Sequence, residues 1–278
     1  MTATSALLRQ RHNYYRSLLV VQVVALLCLR PLQEAPQLVS LVYLLIGGVG
    51  VLVDSPLLPQ NRLTPHLRNT VVPQKVHHDL QRAIRRRLWL EKGWLIAAGL
   101  ELIWQASLLL APALAVHLSA LHMAVWLALM LLILWLLMTA LAEEPVFNGA
   151  LLMGAAAGYL LIGFTGGIVL NSLLVLDPAA FNLSATAHSN LPAAIAHAPQ
   201  MLGAAFGSLT TLGSSVLNEQ SLTSVSASAG ITIVGQLYVA ILIAGVLGKP
   251  RQIGAVRKAA HPKRPSSASY TKIRRIRR

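Results

Sequence analysis

The chain has 278 residues, of which 55% are hydrophobic and 12% are charged, and its mean hydropathy is +0.61. Soluble domains carry about 25% charged residues, so this composition excludes an ordinary soluble enzyme and favours a membrane protein. Lys and Arg number 23 against 9 Asp and Glu, an excess typical of a nucleic-acid binder or of a membrane protein with basic cytoplasmic segments.

Six apolar blocks follow one another along the chain, at residues 17–29, 38–53, 94–116, 118–141, 147–175 and 225–247. At about 1.5 Å per residue, the three blocks between 94 and 175 are long enough to cross about 30 Å of hydrocarbon. The first two blocks are short, and they span only if the polar residues at their ends reach the interface. The pattern predicts an all-α membrane protein with six transmembrane helices.

The distribution of positive charges along the chain favours six transmembrane spans over one more or one fewer. Of the 23 Lys and Arg residues, 3 precede the first block, 8 lie in residues 55–92 and 11 lie in residues 249–278. With six spans and both termini in the cytoplasm, all of them except Arg30 lie on the cytoplasmic side, as the positive-inside rule requires. The sequence therefore predicts a multi-pass protein of the plasma (inner) membrane.

Two basic segments are expected to meet anionic lipid. Residues 74–92 carry apolar side chains at four-residue steps, which predicts an amphipathic helix on the inner leaflet or a solvated cytoplasmic helix. The tail, 249–278, has no acidic residue, and we expect it to be disordered. Lipid is favoured over nucleic acid as the partner of the tail. Residues 1–141 are then a four-helix peripheral membrane domain with a basic cytoplasmic loop at 55–92.

A short apolar segment lies between the fifth and sixth blocks. It begins at Pro199, and proline is favoured at the first position of a helix. A helix over 199–209 is only about 16 Å long, so it reaches about halfway across the hydrocarbon and the chain must return. Non-helical backbone at that depth is tolerated only where protein or water covers it. Entering from outside, such a half-helix points its carbonyl end, and partial negative charge, at the membrane centre.

The residues at the end of this segment resemble the pore module of potassium channels and their tetrameric cation-channel relatives. Phe206, Ser208 and the run Thr210-Thr211-Leu212-Gly213 fit the family's F-x-[ST]-x-T-T-x-G approach to the selectivity filter. Gly235 lies 22 positions after Gly213, where the family often places a hinge glycine in its inner helix. The resemblance implies a pore domain over 147–248, made of an outer helix, a pore helix, a filter loop and an inner helix.

The filter departs from the family's T-x-G-Y-G signature after Gly213, because Ser214 and Ser215 replace Tyr and Gly. We expect the Thr211 hydroxyl and the carbonyls of Thr210 to Gly213 to form the inner half, with a looser or differently built outer half. This predicts weak or absent selectivity for potassium, so that Na+ permeates as well as K+. Glu219 is expected to form a fourfold ring that attracts cations at the pore mouth. No cofactor is expected.

The resemblance implies passive ion conduction through a filter formed by Thr210, Thr211, Leu212, Gly213, Ser214 and Ser215, with a gating hinge at Gly235. One re-entrant segment cannot encircle an ion, so a homotetramer is required. The fourth block, 118–141, contains no arginine, so we expect no voltage gating. Two alternatives stay open: a non-conducting regulatory subunit, and a secondary transporter in which residues 199–213 interrupt a discontinuous helix.

Other features carry weaker predictions. The chain has none of the phosphate-binding, zinc-protease or nucleophile-elbow motifs, so we expect no enzyme activity, and the single cysteine, Cys28, excludes an internal disulfide. Glu101 lies about 12 Å inside the third block, where a carboxylate is either a proton or cation site or is capped by Gln105 or a neighbouring helix. Glycines at four-residue spacing in the fifth block predict close helix packing.

Overall fold

A computed structural model of the protein describes residues 3–52, 74–143, 149–183 and 191–247. The basic tail at 249–278 and residues 55–73 of the basic loop lie outside these ranges. Within them every regular element is a helix: α1 (Ala3–Leu27), α2 (Leu29–Glu34), α3 (Val39–Leu52), α4 (Gln74–Leu110), α5 (Pro112–Glu143), α6 (Gly149–Leu176), α7 (Ala193–Ala196), α8 (Ala198–Leu209) and α9 (Leu222–Leu247). The predicted all-helical class is confirmed for the described residues.

Among the described residues, four helices are long and apolar enough to cross a membrane, over Leu88–Leu110, Leu114–Ala142, Gly149–Leu176 and Leu222–Gly245. The shortest has 23 residues, which is about 35 Å of helix against about 30 Å of hydrocarbon. The first two apolar blocks form shorter helical stretches, Asn13–Leu27 and Pro36–Val51, of about 23 Å each. A membrane protein is therefore supported, and the count of six spans stays a prediction.

The basic segment 74–92 is helical, but it is not a separate element. It continues without a break into the third apolar block as one helix of 37 residues. A helix that lies flat on the leaflet must bend before it enters the membrane, and no proline interrupts α4. Residues 74–92 are therefore the first part of a helix about 55 Å long, which is longer than the hydrocarbon is thick, and their place on the inner leaflet or in the cytoplasm stays a prediction.

Helix α6 is the centre of the fold, because it packs against α1, α5, α8 and α9. Its glycines allow these helices to come close. A side chain at one of these positions would overlap a neighbouring residue: Leu141 and Tyr15 at Gly154, Tyr238 at Gly158, Phe206 at Gly163 and Leu202 at Gly167. The prediction that these glycines serve packing is confirmed.

The helix ends meet in two groups. At one end, α2 contacts α8, and the 3-10 turn Pro36–Leu38 contacts α7. At the other end, Tyr15 of α1 and Leu141 of α5 lie beside Gly154, close to the start of α6. The first loop of the chain and the segment that precedes α8 are therefore neighbours, on the side away from the start of α6.

Candidate ion-conduction site

Helix α8 runs over Ala198–Leu209, close to the expected 199–209, and its 12 residues make it about 18 Å long. It lies between α6 and α9, and most of its side chains are buried, including Met201, Leu202 and Ala205 at 0% exposure. The helix ends at Leu209 because Thr210 and Thr211 leave the helical conformation. Residues 199–213 therefore do not form one continuous helix.

Side chains from both neighbouring helices hold the carbonyl end of α8. The Tyr159 hydroxyl of α6 donates a hydrogen bond to the Leu209 carbonyl at 3.0 Å. From α9, the Thr232 hydroxyl donates to the Ser208 carbonyl at 2.7 Å. The Ser208 and Ser228 hydroxyls are 2.9 Å apart. Because the last carbonyls of a helix lack intrahelical partners, these bonds fix the position at which the next residues begin.

The backbone after α8 is left-handed at two alternate residues, Thr211 at φ 63° and Gly213 at φ 75°. For a β-branched residue such as threonine this conformation is a true outlier, and it costs about 1–2 kcal/mol. In an extended strand, successive peptide groups face opposite sides, and left-handed residues break this alternation. The backbone therefore has the irregular course that a carbonyl-lined pore needs.

Gly213 is tied back to the short helix. Its N–H donates to the Gly207 carbonyl at 3.0 Å, and its own carbonyl oxygen lies against the α-carbon of Gly207. The expectation that the carbonyls of Thr210 to Gly213 all line the pore therefore needs correction at Gly213, whose carbonyl faces α8 in the single chain. Close approach to Gly207, which has no side chain, is the physical reason.

The open side of the loop consists of Thr210, Thr211 and Leu212, which are all exposed. No described residue donates a hydrogen bond to the carbonyls of Thr211 and Leu212, whereas the Thr210 carbonyl accepts one from the Thr211 hydroxyl at 2.6 Å. The Leu212 side chain is 86% exposed. The loop is thus exposed, with two carbonyls that accept no hydrogen bond from the described residues and with one large apolar side chain open to its surroundings.

The outer part of the loop, which contains Ser214 and Ser215, is hydrogen-bonded to the turn that follows α6. The backbone N–H of Asn182 donates a hydrogen bond to the Val216 carbonyl at 2.7 Å, and that of Asn218 donates to the Ala180 carbonyl at 3.0 Å. The Asn182 side chain also donates to the Ser215 and Leu217 carbonyls, both at 3.4 Å. The turn after α6 therefore holds this part in place, and the looser or differently built outer half of a filter stays a prediction. The sequence gave no local signal for this contact, because Asn182 and Leu217 are 35 residues apart.

The remaining predicted site residues lie near this loop. Glu219 is exposed in the turn between the loop and α9. Gly235 is buried inside an unbroken α9, and a side chain there would overlap Leu209 and come 3.7 Å from the ring of Tyr159. Close packing between α8 and α9 accounts for Gly235, so a hinge at this position stays a prediction.

A second polar cluster, 101–126, surrounds the buried carboxylate of Glu101. One carboxylate oxygen accepts hydrogen bonds from Gln105 at 2.8 Å and Ser40 at 2.6 Å. The other lies 2.7 Å from Nε2 of His122 and 3.2 Å from Nε1 of Trp126. Capping by Gln105 and by neighbouring helices is therefore confirmed. The partnership with His122 was missed, although the sequence held a signal: both residues lie ten positions from the hairpin turn at Ala111-Pro112.

Comparison with protein-family models, with curated proteins and with solved structures gives no match for this chain. The resemblance to potassium channels therefore depends on the residues quoted above alone. Within the described residues, no group of three His, Cys, Asp or Glu side chains is placed to hold a metal ion.

Proposed function

We propose that this chain is the subunit of a homotetrameric, potassium-channel-like channel that conducts monovalent cations passively. The observation that carries the proposal is the short helix α8, whose carbonyl end leads into a loop with unpaired carbonyls at Thr211 and Leu212. The C-terminal end of a helix carries a partial negative charge, and carbonyl oxygens replace the water shell of a cation. Both features favour a cation at this place.

The requirement for other copies follows from what the single chain leaves uncovered. One loop presents carbonyls on one side only, so a ring around an ion needs symmetric repetition. Helix α9 has an exposed apolar stripe at four-residue spacing, with Ile233 at 55%, Leu237 at 56% and Ile241 at 60% exposure. Neighbouring subunits and lipid would cover this stripe, and the exposed Leu212 would lie against the next subunit.

The membrane arrangement proposed is six spans in the plasma (inner) membrane, with both termini cytoplasmic and with α8 as a re-entrant half-helix. The two groups of helix ends support this. Six passes assign the Pro36 turn and α7 to the outside, and these segments are in contact. The same six passes assign Tyr15, Leu141 and Gly154 to the inside, where they are also neighbours. The basic loop and tail then face anionic lipid of the inner leaflet.

Permeation is proposed to discriminate poorly between K+ and Na+. The Ser214 and Ser215 replacements and the Gly213 carbonyl that faces α8 leave fewer carbonyls for the ion than a four-site filter offers. The same Gly213 carbonyl favours the second candidate, a non-conducting regulatory subunit. Because the described part of 118–141 has no arginine, the conductance is proposed to depend little on voltage.

The test is reconstitution of the full chain into planar bilayers with K+ on one side and Na+ on the other. We expect a current whose reversal potential lies near zero, and Gly213→Ala should abolish it. The space around Gly213 is empty within 4 Å, so the added methyl group acts through its positive φ alone. Gly99→Ala, on α4 and equally free of neighbours, is the matched control and should conduct normally.

Two outcomes of this test would contradict the proposal. A reversal potential that follows the potassium gradient alone would refute mixed permeability. The complete absence of current from folded, tetrameric protein would refute the proposal of a channel and favour a non-conducting regulatory subunit.

A further inference from the structure

A small cavity lies at the outer end of the bundle, away from the loop that follows α8. Its volume is about 50 Å³, and its polar lining consists of Gln37, Ser40, Ser119, His122 and Asn171. A water molecule needs about 10–15 Å³ of such volume, so the cavity has room for about three or four. Asn171 is one of the lining residues, and its buried side-chain oxygen has no hydrogen-bond partner within the described residues.

His122 connects this cavity to Glu101. The imidazole is 5% exposed and lines the cavity, whereas Glu101 is 1% exposed and lies behind it. Trp104 stacks on the imidazole with 4.3 Å between the ring centroids, so the ring is held in one orientation. Only Nε2 of His122 has a hydrogen-bond partner within the described residues, which leaves Nδ1 as the atom that can exchange a proton with cavity water.

The partners of Glu101 favour its ionised form. The amide of Gln105 can only donate, so it occupies an acceptor position of a carboxylate. The indole of Trp126 can also only donate, and its nitrogen lies 2.9 Å from Nε2 of His122 and 3.2 Å from the carboxylate. In the tautomer of His122 with its proton on Nε2, the indole, Nε2–H and the Ser40 hydroxyl complete four donors to an ionised carboxylate. A neutral imidazole beside it gives a net charge of −1, and a proton on Nδ1 gives a net charge of zero.

We propose that Glu101 and His122 form a proton-binding site that is supplied through the cavity from the outer aqueous phase. The ligand is one proton, which water delivers and which forms the N–H bond at Nδ1 of His122. Among the described residues around the cavity, the only other titratable side chain is Tyr43 of α3. Helices α6 and α7 contribute Ile168, Asn171, Ala194 and Ile195, none of which titrates.

The site has a direct connection to the proposed conduction pathway. Ala194 and Ile195 of α7 form part of the cavity wall, and α7 is separated from α8 by His197 alone. A change in charge and in water content therefore acts on the residues that position the start of α8. This consequence rests on the proposed channel function, whereas proton binding itself does not.

The test uses the full chain in lipid nanodiscs with ¹⁵N-labelled histidine, followed by NMR from pH 4 to pH 9. The resonance of His122 is identified by its loss in His122→Gln. We expect one protonation at Nδ1 of His122, and Glu101→Gln should weaken this proton binding at least tenfold, because the carboxylate that balances the charge is gone. The control is Glu91→Gln, ten residues earlier on the same helix and outside the cavity, which should leave the titration unchanged.

Three results would overturn the proposal: a His122 that does not titrate in wild-type protein, a titration unchanged by Glu101→Gln, or an effect of Glu91→Gln of the same size. The wild-type titration needs no variant to fold. Ala194→Leu, which fills the cavity, should slow hydrogen exchange at Nδ1 severalfold, and unchanged exchange would argue against entry through the cavity. A pH-dependent current that Glu101→Gln makes pH-independent would support the connection to α8. If His122 titrates but no current exists, proton binding stands and the channel function fails.

Discussion

The contact between Gly207 and Gly213 is the feature of the loop that a single methyl group should destroy. In Gly207→Ala the new methyl group would overlap the Gly213 carbonyl oxygen and come within 3.1 Å of its carbonyl carbon. The obstacle is backbone on both sides, so a side-chain rotation cannot relieve it. The loop would have to leave the helix, and the hydrogen bond from the Gly213 N–H to the Gly207 carbonyl would be lost.

Gly203 provides the matched control, because it lies one turn earlier on the same helix and has no atom within 4 Å of its new methyl group. Both substitutions gain about 1 kcal/mol from the higher helix propensity of alanine. Only Gly207→Ala pays for overlap, about 1–3 kcal/mol, and for a lost hydrogen bond, about 1 kcal/mol. The difference between the two variants is therefore expected to be about 2–4 kcal/mol in the free energy of unfolding.

The assay compares both variants with wild type by reversible unfolding in mixed micelles and by conductance in planar bilayers. Gly203→Ala should be as stable as wild type or more so, with normal current, whereas Gly207→Ala should be less stable and should lose or alter its current. Equal stability and equal current in the two variants would refute the reasoning, since the loop would then not depend on its contact with α8.

Three further variants test the loop and its surroundings. Thr211→Gly should be about 1 kcal/mol more stable than Thr211→Ala, because only glycine tolerates φ 63° without strain, and thermal unfolding measures the difference. In a Cys28→Ser background, Leu212→Cys should form cross-linked dimers on oxidation, whereas Leu109→Cys, with the same 86% exposure, should not, and equal cross-linking would contradict subunit contact at the loop. Glu219→Gln should lower cation current severalfold at about 10 mM salt and much less at about 1 M, because salt screens the exposed carboxylate; a reduction independent of salt would exclude its role at the mouth.

Much of the fold follows from local features of the chain. Hydropathy and length identify the four long helices, because about 20 apolar residues are needed to cross a bilayer whatever the rest of the protein does. The short helix over Ala198–Leu209 was predicted within one residue, since proline starts a helix well and the apolar run there is short. The packing of the α6 glycines followed from their spacing.

Other features of the molecule depend on continuity or contact, which no local pattern fixes. Nothing in the amphipathic pattern of 74–92 indicated that the helix would continue through Gly93 into the membrane segment, since one glycine lowers helix stability without ending a helix. The hinge at Gly235 was inferred from the position of this glycine relative to Gly213 and stays a prediction, while the structure adds a packing role, because Leu209 lies against it. Close packing and a hinge both favour glycine, so the residue type alone does not distinguish the two roles.

The sequence by itself determined which segments are apolar, how long each helix is and where the positive charges lie, because these depend on residues close together in the chain. Only the tertiary structure decided which groups meet: Gly213 with Gly207, Asn182 with the outer loop, and His122 with Glu101. Gly213 meets Gly207 only where the loop folds back on α8, and the other two contacts form only when separate elements pack together. Their energies are those of hydrogen bonds and excluded volume, which depend on distances of a few tenths of an ångström that no local pattern encodes.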